Sequence, residues 1–225
     1  MKCVIIANAP GLDAAPYAPL IAAADLLLAA DGGALPLIRL GHMPETVVGD
    51  LDSLDAASVA LLADAGVAID RHPRAKDETD LELALLLAAE RGAAQILVLG
   101  ALGGRWDHTL ANVALLALPE LRGRDVRLLD GDQTLYLVRE RAELDGHRGD
   151  TISLVPLTGA VHGITTRGLQ YALEDATLSF ERARGVSNVL LDPPGAVSIR
   201  DGLLLVIHHD DGGRHQFDPP GGIDD

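Results

Sequence analysis

Four short clusters in the first half of the chain hold the residue types that could handle a phosphate and a metal ion. They are Asp31-Gly32-Gly33, Gly49-Asp50-Leu51-Asp52-Ser53, Lys76-Asp77-Glu78-Thr79-Asp80 and Gly103-Gly104-Arg105-Trp106-Asp107-His108. Singly, each has an ordinary reading. Asp-Gly-Gly is a common turn, Asp52 or Ser53 can cap a helix, as can Asp77 or Thr79, and an Arg after two glycines can be a solvated loop charge. Together they gather carboxylates in a way that stability alone does not call for. In an extended chain Asp50 and Asp52 stand about 6.6 Å apart. At an effective dielectric near 20 they repel by about 2.5 kcal/mol. A hard divalent cation offsets that repulsion, and Mg²⁺ takes a few carboxylates together with substrate phosphates. Asp77 and Asp80, three apart, share a face if both are helical. Zinc is not indicated, since Cys3 is the only cysteine and histidines are not clustered at ligand spacing. His208 and His209 end an apolar run and point to opposite faces of a strand, so a metal shared between them is not expected.

Gly103, Gly104 and Arg105 complement the acids. Glycines let backbone N–H groups approach an anion, a following helix offers its N-terminus, and Arg105 can take two phosphate oxygens at once. The chain has neither a P-loop pattern nor Gly-x-Gly-x-x-Gly, which disfavours a P-loop nucleotidase and a simple dinucleotide-binding domain.

The elements that must position these clusters are legible as apolar runs. Residues 2–7, 26–30, 46–48, 67–70, 95–99 and 126–129 read as buried strands, and 56–65, 81–91 and 110–118 as helices. Thr79 with Glu82 fits a capping box opening the helix at 81. Strands alternating with helices predict an α/β N-terminal domain with a mostly parallel sheet. The four clusters then follow strand carboxyl ends and face one crevice. After about Leu137 the pattern changes to short runs at 151–156, 159–165, 176–180, 196–199 and 203–208, separated by turn residues. That spacing predicts an all-β, sandwich- or barrel-like C-terminal domain. The expected division is 1–138 for the α/β nucleotide- and metal-binding domain, 139–148 for a charged linker, 149–209 for the β domain and 210–225 for a flexible polar tail.

Bulk properties narrow the partners. The chain of 225 residues has 18 Lys+Arg against 33 Asp+Glu, a net charge of −15. Such a surface repels a phosphate backbone, so nucleic acid is not an expected partner. One cysteine allows no internal disulfide. The first apolar run ends at Asn8 and turns at Pro10-Gly11, which reads as a strand rather than a signal peptide. No apolar stretch approaches the roughly 18 residues of a membrane span. A cytoplasmic protein without membrane partners is expected.

In combination the motifs resemble those of the thiamine pyrophosphokinases, whose pattern runs ADGG, GDxDS, KDxTD, GGRxDH. Here these stand at Ala30 to Gly33, Gly49 to Ser53, Lys76 to Asp80 and Gly103 to His108. Later, Thr166-Arg167-Gly168-Leu169-Gln170-Tyr171 and Gly185-Val186-Ser187-Asn188 are similar to the family's TxGLxY and (T)SN segments, with Val186 where Thr is frequent. The resemblance implies transfer of a diphosphate from Mg-ATP to the hydroxyl of thiamine, releasing AMP. It implies a homodimer, with thiamine between the acidic crevice of one chain and the β domain of the other. By position, Asp50, Asp52 and Asp80 would hold Mg²⁺, with Asp77 beside them. Arg105 would clamp phosphates, and Asp107 would orient the site. Asp31, Gly32, Gly33, Thr79, Gly103 and Gly104 would border the nucleotide. Ser187 and Asn188 would face thiamine, and Tyr171 is evenly balanced between an aromatic wall for thiamine and core filling. The rival readings are a pyrophosphokinase of another alcohol, such as a hydroxymethylpterin, and a nucleotide-binding regulator without turnover.

Overall fold

A computed structural model describes residues 1–212, so the tail expected from 210 lies, beyond Gly212, outside the described residues. The chain divides into two compact units, Met1–Asp130 and Gly131–Asp225.

The first unit is built on six parallel strands, β1 (Lys2–Ile6), β2 (Leu26–Ala30), β3 (Thr46–Gly49), β4 (Ala68–Arg71), β5 (Gln95–Leu99) and β6 (Asp125–Asp130). Their order across the sheet is β6-β5-β1-β2-β3-β4, and every adjacent pair is parallel. Leu26 to Ala30 are all buried, as are Ile96 to Leu99. Such continuous apolar runs belong to strands covered on both faces. β4 is the edge strand, and its residues are partly or fully exposed. From β1 the chain walks outward through β2, β3 and β4, then returns to place β5 on the other side of β1. The switch point of the sheet therefore lies between β1 and β5, where ligands of open α/β sheets bind.

Between the strands run α1 (Ala18–Ala22), α2 (Ala34–Arg39), α3 (Ala56–Asp64), α4 (Asp80–Glu90) and α5 (Trp106–Leu115). The cap of α3 is Asp55, whose carboxylate accepts the Ser58 N–H at 2.7 Å. Asp52 and Ser53 are therefore not needed as caps. Thr79 does cap α4, accepting the Glu82 N–H at 3.2 Å, as its spacing predicts. Leu81, Ala84, Leu85 and Ala88 then form one buried stripe on α4.

The second unit is a sandwich of two antiparallel sheets. Its strands are β7 (Gln133–Val138), β8 (Arg141–Leu144), β9 (Thr151–Pro156), β10 (Ala160–Arg167), β11 (Ala176–Ser179), β12 (Asn188–Val189), β13 (Gly195–Ser198) and β14 (Leu204–His209). One sheet runs β12-β9-β14-β7 and the other β11-β10-β13-β8. Ile152, Leu154 and Val206 from the first meet Val161, Ile164 and Val197 from the second in one core. β9 alternates buried and half-buried residues, as a strand with one face to a core must.

Two expectations about division differ from the structure. Residues 133–138, expected in the first domain, form β7 and belong to the second unit. The stretch 139–148, expected as a linker, contains β8, paired antiparallel with β13. Arg141 and Glu143 of β8 are exposed and only Leu144 is buried. An edge strand carrying charges on its open side has the composition of a linker.

Candidate active site

A cleft of about 530 Å³ opens at the switch point, lined by residues from the carboxyl ends of β1, β2, β3 and β5 and from the loop before α4. All four acidic and glycine-rich clusters contribute to it.

At its floor the pairing of β2 with β3 sets Ala30 opposite Val48. Asp31 and Asp50, nineteen apart in sequence, thereby become neighbours. One carboxylate oxygen from each of Asp31, Asp50 and Asp52 lies within 4.8 Å of the others. Asp31 is buried, and its Oδ1 has no hydrogen-bond partner among the described residues. Buried polar atoms almost always have a partner, so this one marks a place for a positive group. The segment 50–52 is a turn rather than extended chain. Leu51 has φ 65°, and the Asp52 N–H donates to Asp50 Oδ1 at 3.0 Å. The carboxylates are thus closer than the extended estimate of about 6.6 Å. Three hard oxygen donors, one of them buried and unpaired, fit a Mg²⁺ ion.

Asp80 stands beside this cluster. A Cβ on Gly49 would come 2.9 Å from Asp80 Cγ and 3.2 Å from Asp31 Cβ, so only glycine lets the two acids flank β3. Lys76 Nζ donates to Asp80 Oδ1 at 2.8 Å, and its side chain is only 12% exposed. A cation held in an acidic cleft is already in place for an anionic substrate. Asp77 is exposed and is not among the lining residues. Thr79 lines the cleft while capping α4. Gly32 and Gly33 are buried, where side chains would strike Asn8 and the Ile6 carbonyl. Their visible role is close packing of the Asp31 turn onto the end of β1.

At the mouth, Gly103 and Gly104 are exposed, and Arg105 is the N-cap residue of α5. Arg105 is ion-paired with Asp107, its Nε donating to Asp107 Oδ1 at 3.1 Å. The guanidinium's hydrogen bonds hold the Asp107 carboxyl down at about 2, and the pairing raises Arg105 in turn. Both groups therefore stay charged across any working pH, and Asp107 fixes the fork of Arg105. Trp106 is 77% exposed, and His108 lines the cleft.

Sequence reasoning passed over Asn8, Ser53 and Lys76 as site residues. Asn8 Nδ2 donates to Ser53 Oγ at 3.1 Å, and Ser53 Oγ to Asp52 Oδ1 at 3.3 Å, a chain that orients Asp52. Asn8 follows β1 at the switch point, which was the available signal. Lys76 was marked by its i,i+4 spacing to Asp80.

In the second unit, Asn188 is buried and its amide clamps the backbone of Tyr171. The Tyr171 N–H donates to Asn188 Oδ1 at 2.9 Å, and Asn188 Nδ2 donates to the Tyr171 carbonyl at 2.8 Å. Tyr171 itself is 65% exposed, which rules against core filling. Ser187 has φ 59°, and its N–H donates to Ser153 Oγ at 3.0 Å. Among the described residues, no helix is long and apolar enough to cross a membrane.

Comparison with known proteins bears on both units. Residues 17–128 match the family model described as thiamin pyrophosphokinase, catalytic domain. Residues 138–204 match thiamin pyrophosphokinase, vitamin B1 binding domain. A thiamine pyrophosphokinase of Bacillus subtilis is 29% identical over 189 residues, covering 83% of this chain and 88% of that one. The crystal structure of thiamine pyrophosphokinase from Bacillus subtilis superposes with a TM-score of 0.83 at 25% identity, covering 94% of this chain and 100% of that one. The structure of thiamin pyrophosphokinase from Geobacillus thermodenitrificans gives 0.78 at 28% identity, covering 95% and 99%.

Proposed function

The chain belongs to the thiamine pyrophosphokinase family, and on that premise we propose that it transfers the terminal diphosphate of ATP to the hydroxyl of thiamine. The single observation that carries the chemistry is the buried, unpaired Asp31 Oδ1 within a cluster of three carboxylates at the switch point.

The thiamine oxygen forms a bond to the β-phosphorus of ATP, and the bond from that phosphorus to the bridging oxygen of AMP breaks. The hydroxyl proton passes to a cleft carboxylate. Such transfers depend on positioning and charge neutralisation more than on covalent chemistry by the protein. Asp31, Asp50 and Asp52 would hold Mg²⁺, with Asp80 adjoining. When bound there, the ion supplies charge neutralisation on the phosphate oxygens. Asn8 and Ser53 keep Asp52 aimed at the cluster. Lys76, held by Asp80, and Arg105, held by Asp107, both line the cleft and would supply two cations toward the phosphates. The fork of Arg105 suits two oxygens of one phosphate. Tyr171, set by Asn188, and Ser187 are the groups of the second unit that would meet thiamine.

A homodimer with the site completed by the partner chain belongs to this reading, as does a cytoplasmic location, which the use of ATP supports. The comparisons do not favour the hydroxymethylpterin or regulator alternatives. The test offers the protein Mg-ATP with either thiamine or a hydroxymethylpterin. AMP release with thiamine alone is expected. Release with the pterin alone would overturn the substrate assignment.

A further inference from the structure

The second unit contains a cluster that the transfer reaction does not use. It lies where the turn between β8 and β9 meets the end of β14. His147 Nδ1 stands 4.0 Å from Asp150 Oδ2 and 3.8 Å from Asp210 Oδ1. A ligand atom from each of the three residues lies within 4.8 Å of the other two. We propose that His147, Asp150 and Asp210 bind a divalent first-row transition ion of the zinc class, at a site separate from the catalytic carboxylates.

Asp150 carries the argument. Its side chain is completely buried. Oδ2 accepts the His147 N–H at 2.7 Å and lies 2.8 Å from His208 Nε2. Oδ1 has no hydrogen-bond partner among the described residues. A fully buried carboxylate oxygen left unpaired calls for a positive group nearby. The two remaining groups of the cluster, His147 and Asp210, are 73% and 55% exposed, so an ion can reach them from solvent.

The geometry is close to that of a loaded site. Ligands bonded at about 2.0–2.2 Å to one ion lie roughly 3.0–3.5 Å from each other. The two His147 separations exceed this by about half an ångström or less, and the two carboxylates lie within 4.8 Å of each other, gaps that rotations of the exposed His147 and Asp210 can close. One imidazole with two carboxylates selects zinc-class ions over Mg²⁺, in contrast to the all-oxygen catalytic cluster. His208 orients the buried carboxylate in the way that partners behind metal ligands do. Neighbouring acids are engaged elsewhere, for His209 bridges Asp132 at 2.8 Å and Asp211 at 3.1 Å.

The ion would fasten a turn that already supports the strand carrying Asn188. The Gly149 N–H donates to the Leu190 carbonyl at 2.8 Å, and the Leu190 N–H to the Asp150 carbonyl at 2.9 Å. Arg148 Nη1 donates to the Leu191 carbonyl at 2.6 Å. Fixing 147–150 to Asp210 therefore steadies the end of β12, where Asn188 clamps Tyr171.

The competing description is the same cluster of His147, Asp150 and Asp210 without an ion. Calorimetry separates the two. The full chain carrying Asp52→Asn, which weakens the catalytic cluster, is freed of metal and titrated with Zn²⁺, and with Co²⁺ followed by its visible absorption. One equivalent of Zn²⁺ should bind and raise the Tm. Adding His147→Gln or Asp210→Asn, both at exposed positions, should each weaken binding at least about tenfold and cancel the Tm rise. Co²⁺ should show ligand-field bands that His147→Gln removes. Failure to bind Zn²⁺, or binding that survives both substitutions, would overturn the site.

Discussion

Replacing Asp31 by Asn removes one charge from the carboxylate cluster without changing its shape, and the sign of its effect depends on the metal. Asp31 lies within 4.8 Å of both Asp50 and Asp52, oxygen to oxygen. At an effective dielectric near 20, each such pair repels by about 3.5 kcal/mol. Screening over a Debye length of about 8 Å lowers this to about 2 kcal/mol. The Asp52 side chain is 49% exposed, so its pair deserves a further discount, to about 1 kcal/mol. The relief of about 3 kcal/mol is offset by about 1 kcal/mol for a buried amide lacking partners. In EDTA the variant should therefore gain roughly 2 kcal/mol, a Tm rise of about 4–8 °C. With Mg²⁺ the order reverses in function, and turnover should fall by orders of magnitude. Thermal melts in EDTA and with Mg²⁺, with turnover beside them, give the full pattern. A variant destabilised in EDTA that turns over normally would refute the cluster as a metal site.

Three further outcomes follow from other parts of the molecule. Arg105→Lys keeps the charge but loses the fork that Asp107 fixes, so steady-state turnover should drop markedly, and free substitution would make Arg105 a solvated loop charge. Burial, with Glu45 adding to it, pushes the Cys3 thiol up to about 12, so it stays protonated and should label with a thiol reagent only on unfolding. Rapid labelling of the folded chain would contradict that burial. To test the proposed dimer, inactive Asp52→Asn protein and an inactive Tyr171→Ala/Ser187→Ala protein are unfolded together and refolded. A site shared between chains recovers activity in heterodimers. Heterodimers without activity would confine the site to one chain.

What was legible in the sequence follows burial. Leu26–Ala30 and Gln95–Leu99 match their expected bounds because strands covered on both faces are apolar throughout. α5 starts at Trp106 rather than at 110, because its first turn is exposed and carries no apolar stripe. β8 was hidden by its edge position, and α1 by its brevity and the Pro in its first turn. At the site, the four motifs were legible as chemistry, and the switch point brings them into one cleft. The company of Asp31 was not, because Asp31 meets Asp50 only through the register of β2 on β3. Nor was the task of Asn188, whose partner Tyr171 is seventeen residues away. Its amide serves the backbone, while Tyr171 and Ser187 are exposed.

The identity of the transferred group is the centre of the account, and following the phosphorus in solution tests it. The full chain is incubated with ATP, Mg²⁺ and thiamine while ³¹P NMR records every product. Thiamine diphosphate and AMP should accumulate in equal amounts, with no ADP. Accumulation of ADP with thiamine monophosphate would mean attack at the γ-phosphorus, and would contradict the transfer proposed for this cleft.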